Sequence, residues 1–198
     1  MTTEVERTTK ALFPLFVDLA GRWVLVVGGG PVATDKAREL ALHGARVRVV
    51  SPEVRPELEA IAEEIIWTDF APHHVEGAFL VVAAAPPEVN RAARAAAEAR
   101  GTFIVAVDDV ASCTAYGAAR LDRAGITVAL SSNGTAPALV ALLRRAIEAV
   151  LPEDLETWHS VATRARVEWK NLGTPIPVRR ELLLEALNSL YPAGGRGT

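Results

Sequence analysis

Val24-Leu25-Val26-Val27-Gly28-Gly29-Gly30-Pro31-Val32-Ala33 decides the fold of this chain. An apolar run of strand character meets a glycine cluster, and a helical pattern follows from Asp35 to Leu42. Strand, tight glycine turn and helix, in that order, form the context in which a G-x-G-x-x-A match carries meaning. Gly28 permits the sharp turn, Gly30 lets a backbone approach a pyrophosphate, and Ala33 lets the helix pack on the strand. Unpaired N–H groups and the dipole at the helix start favour negative charge, and Pro31 and Val32 count with the glycines as cofactor-binding. The expected ligand is a dinucleotide.

Outward from this turn, strands and helices alternate. Arg46–Val50 reads as a second strand closed by Ser51-Pro52, and Pro56–Glu64 reads as a helix leading to a third strand at Ile65–Trp67. Phe79–Ala84 is a wholly apolar fourth strand, ended by Pro86-Pro87. The alanine-rich run Val89–Arg100 is a strong helix former, and Phe103–Val107 makes a fifth strand. Continuous apolar strands alternating with helices imply a parallel sheet covered on both faces. The fold class is α/β, a Rossmann-like doubly wound parallel sheet.

After Asp109 the pattern changes. A loop through Cys113 leads to Tyr116–Arg123 and then to a strand at Ile126–Leu130. The loop Ser131–Pro137 precedes an amphipathic helix, Ala138 to Val150, and helical segments at Leu155–Asn171 and Val178–Leu190 follow. Trp158, Val161, Ala162, Ala165 and Trp169 keep helical spacing, as do Leu182, Leu183, Ala186, Leu187 and Leu190. The Gly-rich tail Pro192–Thr198 is expected to fray.

Composition narrows the class. A chain of 198 residues, half hydrophobic and 23% charged, suits a folded globular protein. No apolar run reaches membrane-spanning length, and MTTEVERTTK at the amino terminus lacks a signal-type apolar core. Cys113 is the single cysteine, which excludes an internal disulfide and fits the cytoplasm. A net charge of −3 argues against a nucleic-acid partner. His73-His74 reads as a surface pair in a loop, His43 as a favourable charge at a helix end, and His159 and Cys113 lack partners at metal-ligand spacing. No resident metal site is expected.

Several segments together resemble the precorrin-2 dehydrogenases, the NAD-dependent module of siroheme synthases. They are Leu12-Phe13-Pro14-Leu15-Phe16-Val17-Asp18-Leu19 ahead of the glycine turn, Glu88-Val89-Asn90-Arg91, Val107-Asp108-Asp109 with Cys113, and Ser131-Ser132-Asn133-Gly134-Thr135-Ala136-Pro137. The last is the most specific. The resemblance implies a homodimeric enzyme that oxidises precorrin-2 to sirohydrochlorin, passing a hydride to NAD⁺. Some members also insert Fe²⁺ as a substrate. It implies an NAD-binding domain over 1–113, a dimerisation segment over 114–150 and a helical domain over 151–198. The main dimer contacts would be the strand at Ile126–Leu130 and the helix Ala138–Val150. The methyltransferase domain of some siroheme synthases is not expected within these residues.

The resemblance makes Asp108 the central catalytic residue. A carboxylate at the end of a parallel strand stands where open α/β sheets place their ligands. It can accept a proton as hydride leaves, helped by burial beside Asp109, unless one of the pair merely caps the turn before Val110. By family position Ser51, Pro52 and Glu53 border the adenosine and Ala84 the nicotinamide end. No acid closes the second strand for the ribose, and Arg48 and Arg55 leave NADP⁺ open while the resemblance favours NAD⁺. Relatives usually carry Ala-Thr-Asp after the fourth strand, where this chain has Ala83-Ala84-Ala85-Pro86-Pro87. Ser132, Asn133, Gly134 and Thr135 are candidates for holding substrate carboxylates, with helix capping the alternative. Arg120 is a further candidate, alongside Arg123 and Arg144. A reading from another class is a non-catalytic NAD(H)-sensing regulatory module. A short-chain dehydrogenase is excluded, because Tyr116 is followed by Arg120 rather than by the lysine that family needs.

Overall fold

The computed structural model describes residues 12–191, which form two compact units, one ending at Gly117 and the other beginning at Ala118. The polar segment ahead of residue 12 and the tail Pro192–Thr198 lie outside the described residues.

In the first unit, β1 (Trp23–Val27) is the centre of a five-stranded sheet with β2 (Arg46–Val50), β3 (Glu64–Ile66), β4 (Leu80–Ala83) and β5 (Phe103–Ala106). Every neighbouring pair is parallel, in the order β3-β2-β1-β4-β5. This is the Rossmann-like doubly wound arrangement, and its order reverses between β1 and β4. Register aligns Val27 with Val50 and Ala83, and Ala83 with Ala106, so these strands end on one carboxyl edge.

The side chains explain the sheet. Val24, Leu25 and Val26 are wholly buried, as only a central strand with both faces covered allows. Leu25, Val81 and Ile104 belong to one apolar layer with Ala93 and Ala97. Val24, Val26 and Val49 form the other with Ala33, Ala37 and Leu58. Each fully buried Leu or Ile contributes about 1.5–3 kcal/mol relative to exposure.

The helices are α1 (Pro31–Leu42), α2 (Pro56–Glu59) and α3 (Pro87–Glu98). The pattern from Asp35 understates α1, which starts at Pro31 because proline is preset for the first helical position. That extension carries the helix start right up to Gly30. The expected helix Pro56–Glu64 is instead the single turn α2. The amide of Glu63 already donates to Val47 O, and Glu64 pairs with Arg48, so the sheet reclaims the chain.

The second unit pairs β6 (Ala119–Arg123) with β7 (Ile126–Leu130) as an antiparallel hairpin. Its two-residue turn, Ala124-Gly125, has positive φ at both positions, the conformation that suits strand twist. Three helices follow: α4 (Pro137–Val150), α5 (Leu155–Asn171) and α6 (Ile176–Asn188). At the far end Trp158 Nε1 donates to Tyr191 OH, which in turn donates to Asp154. No helix among the described residues is long and apolar enough to cross a membrane.

Candidate dinucleotide site

Each glycine of the turn has a different reason to be glycine. Gly28 sits at φ +116°, and its amide donates to Val50 O. A Cβ there would stand 2.3 Å from the carbonyl oxygen of Ala84. Gly29 faces the loop after β2, where a Cβ would come within 1.8 Å of Glu53 O and 2.9 Å of Ser51 Oγ. Its carbonyl accepts from Arg55 N. Both residues are thus glycine because other backbone crowds them. Gly30 differs, since a Cβ there would have no neighbour within 4 Å.

Gly30 caps α1 with an ordinary extended backbone (φ −81°), so the fold itself does not require glycine there. The open side of Gly30 faces a helix start whose first amides lack intrahelical acceptors. An approaching phosphate would use that space, and the N-terminal dipole would favour its charge. These residues fit a dinucleotide's pyrophosphate.

Around this point the carboxyl edge opens into a cleft of about 940 Å³. Of the residues expected at the cofactor, Gly28, Gly30, Pro31, Ser51, Pro52, Glu53 and Ala84 line it. Val32 and Ala33 do not. Val32 is half exposed, while Ala33 is fully buried against the sheet. Gly29, Asp69, Phe70 and Glu88 also line the cleft and were not anticipated. Asp69 and Phe70 follow β3, and counting each strand's carboxyl end as a ligand position would have found them.

The loops that shape the cleft are fixed from within. Ser51 is buried, and its hydroxyl donates to Glu53 O at 2.7 Å, leaving its lone pairs rather than its proton for a ribose. Asn90, also buried, accepts from Ala85 N and so holds the loop after β4.

Arg48 is corrected as a phosphate candidate. Its guanidinium bonds Glu64 at 2.8 Å and Glu76 O at 3.3 Å, and it stacks on Trp23 at the amino end of β1. Arg55 does line the cleft, 3.5 Å from Glu57.

Asp108 lies just past the carboxyl end of β5, at φ +57°. Aspartate tolerates this left-handed region better than most residues, yet such backbone strain concentrates at functional positions. The burial expected around Asp108 is absent, because the residue is exposed and lies outside the cleft lining. Asp109 is the one that caps, accepting from Ser112 N at 3.3 Å.

His74 also departs from expectation. It is buried, and its Nδ1 accepts from Ala71 N at 3.0 Å. Burial lowers its pKa below the usual imidazole value, with His73 and then Arg48 adding to the effect.

The loop ahead of α4 in the second unit is built on capping contacts. Ser132 Oγ accepts from Ala136 N at 2.8 Å, and Thr135 Oγ1 donates to Ser132 O at 2.6 Å. Asn133 and Gly134 both take positive φ, and Asn133 N donates to Ser131 Oγ. Arg120, exposed on β6, pairs with Asp122 at 2.5 Å, and Arg144 pairs with Glu148 at 3.2 Å. Among the described residues no cluster of three His, Cys, Asp or Glu side chains could hold a metal ion.

The chain is similar to known proteins in sequence and in fold. The chain is 39% identical over 183 residues to a siroheme synthase of Zymomonas mobilis, a match covering 90% of this chain and 39% of that protein. It is 40% identical over 184 residues to siroheme synthase 2 of Aeromonas hydrophila, covering 91% and 39%. The chain thus spans about two fifths of the length of these curated relatives. A solved precorrin-2 dehydrogenase, SirC, shares the fold with a TM-score of 0.70 at 23% identity, over 88% of each chain. A family model described as "Putative NAD(P)-binding" matches residues 15–119, just over half of the chain. By that match, and with the glycine turn and cleft where such a fold places a dinucleotide, the chain belongs to this NAD(P)-binding family.

Proposed function

We propose that the chain oxidises precorrin-2 to sirohydrochlorin with NAD⁺. The observation that carries the reading is Gly30, the one glycine of the turn with open space where a side chain would stand. The names of the siroheme synthases and of SirC supply the substrate class. When bound, NAD⁺ supplies the hydride acceptor. Two hydrogens leave the tetrapyrrole, one as hydride to NAD⁺ and one as a proton.

In this reading Gly28 and Gly30 keep the turn open to the pyrophosphate, and the amides of Val32 and Ala33 at the start of α1 receive its charge. Pro31 presets that start. Ser51, Pro52 and Glu53 border the adenosine, and the backbone at Ala84 borders the nicotinamide end. Arg55 is the cation that would favour a 2′-phosphate, and its contact with Glu57 supports NAD⁺ over NADP⁺. Asp108 accepts the proton. Ser132, Asn133, Gly134, Thr135 and Arg120 hold substrate carboxylates, with Arg120 exchanging Asp122 for the substrate.

The same reading takes residues 1–113 as the dinucleotide domain, 114–150 as a dimerisation segment and 151–198 as a helical domain, in a cytoplasmic homodimer. Leu139, Leu142, Leu143 and Val150 of α4 are each about half exposed or more, which supports a partner on that helix.

The test is turnover. Chain, NAD⁺ and precorrin-2 are mixed, and NADH absorbance is followed for the wild type and for Asp108→Asn. Removing a general base costs about 10²–10⁴-fold in kcat, and Asp108→Asn is expected within that range with NADH binding retained. Bound nucleotide without turnover in the wild type would favour an NAD(H)-sensing module instead. Adding Fe²⁺ to the product mixture reads metal insertion in the same experiment.

A further inference from the structure

β5 is an edge strand among the described residues, and its outward backbone groups need partners from outside the sheet. Its inward side is served by the sheet, as Val107 N donates to Ala83 O. On the outer side, residues 113 and 114 do a strand's work with side chains and backbone together. The amide of Ala106 donates to Cys113 Sγ, and the thiol donates back to Ala106 O, both at 3.2 Å. Two residues deeper, Ile104 N donates to Thr114 Oγ1 at 2.8 Å, and Thr114 N donates to Ile104 O at 2.9 Å.

The thiol therefore ties together the two ends of the turn that carries Asp108 and Asp109. Cys113 is buried, at 5% exposure, so water does not compete for these bonds. From α3, Arg94 reaches the same turn: Nη1 donates to Cys113 O at 2.9 Å and to Ala111 O at 3.3 Å. Its Nη2 is anchored on Glu98 at 2.5 Å, and that bond raises the guanidinium's pKa above its usual value. The turn is thus clasped at its base by sulfur and braced from the helix by a cation.

We propose that Cys113, braced by Arg94, is a positioning residue for Asp108, holding the strained carboxylate-bearing turn in its working shape. This rests on the reading of Asp108 as the proton acceptor. Cys113 itself touches neither substrate nor cofactor in this account.

The backbone at Cys113 is extended (φ −91°, ψ +139°), so β-branched residues fit there. Cys113→Val and Cys113→Thr have nearly the same volume, and only threonine can accept from and donate to Ala106. Cys113→Val is expected to lower kcat about tenfold with NADH affinity unchanged, and to speed amide exchange across residues 107–112. Cys113→Thr is expected to stay within about threefold of wild type in both readouts. Wild-type kcat in Cys113→Val, or equal losses in both variants, would overturn the proposal. Should Cys113→Val fail to fold, Arg94→Met decides, with a fivefold or larger kcat loss expected and an unchanged kcat contradicting it. Asp108→Asn, assayed beside them, separates this proposal from the one beneath it. Full activity there would remove Asp108's role while the exchange data still reported whether Cys113 clasps the turn.

Discussion

The two units of this chain treat their apolar surface in opposite ways. The first buries its own, with β1 and the inner faces of α1 and α3 sealed in two layers around the sheet. Outside those layers, the lead-in with Phe13, Leu15 and Phe16 stays exposed, as do Leu42, Trp67 and Phe103. In the second unit α4 buries only Val140, α5 only Leu155, and α6 nothing. A self-sealed unit can hold a ligand edge by internal constraint alone. A unit with Leu139, Leu142 and Leu143 uncovered offers apolar surface of the kind that marks interaction sites. The first unit accordingly carries the dinucleotide cleft, and in the proposed reading the second makes the homodimer.

The largest effect expected from this contrast is on the sealed unit. Gly29→Ala puts a methyl group against the Glu53 carbonyl, where neither backbone can yield, and should destabilise by about 3 kcal/mol in urea unfolding. A loss below about 1 kcal/mol would show the turn to be looser than its contacts imply. Next comes the open unit. Leu142→Glu places a charge on the exposed face of α4 and should convert the proposed dimer to a monomer in light scattering, leaving NADH affinity within twofold. An unchanged mass would take α4 out of the interface.

The smallest effect is a pH dependence of the first unit. His74 folds with a lowered pKa, so the unfolded chain binds its proton more readily than the folded one. The stability it confers is complete above the unfolded value near 6.5 and is lost as pH falls towards the lower folded value. Thermal unfolding should therefore drop between about pH 7 and pH 5, less steeply in His74→Phe. Equal slopes in the two proteins would place the effect elsewhere.

Most of the sheet was legible because central parallel strands are continuous apolar runs, as in Val24–Val27 and Val81–Ala83. The end of α2 was not, because Pro56–Glu64 contains good helix formers and only pairing of Glu64 with Arg48 ends the helix. β6 was not read either, since Ala119–Arg123 shows one buried leucine between charges, and its turn signal is Ala124-Gly125. At the site, the glycine turn and the loop after β2 were visible as residue types in order. What stayed hidden was which polar groups the fold itself consumes. Arg48 is spent on Glu64 and Trp23, and His74 Nδ1 on Ala71 N. The Arg48 pairing joins residues 16 apart in sequence, and the burial of His74 comes from packing, so local spacing encodes neither.

In the proposed reading Gly30 is glycine for a dinucleotide rather than for the fold, and calorimetric titration of NADH into wild type and Gly30→Ala distinguishes the two. Open space around Gly30 predicts that the variant unfolds within about 1 kcal/mol of wild type, as a helix-cap change allows. Its NADH affinity should fall at least about tenfold, or 1.4 kcal/mol. Equal affinity in the two proteins would contradict the account.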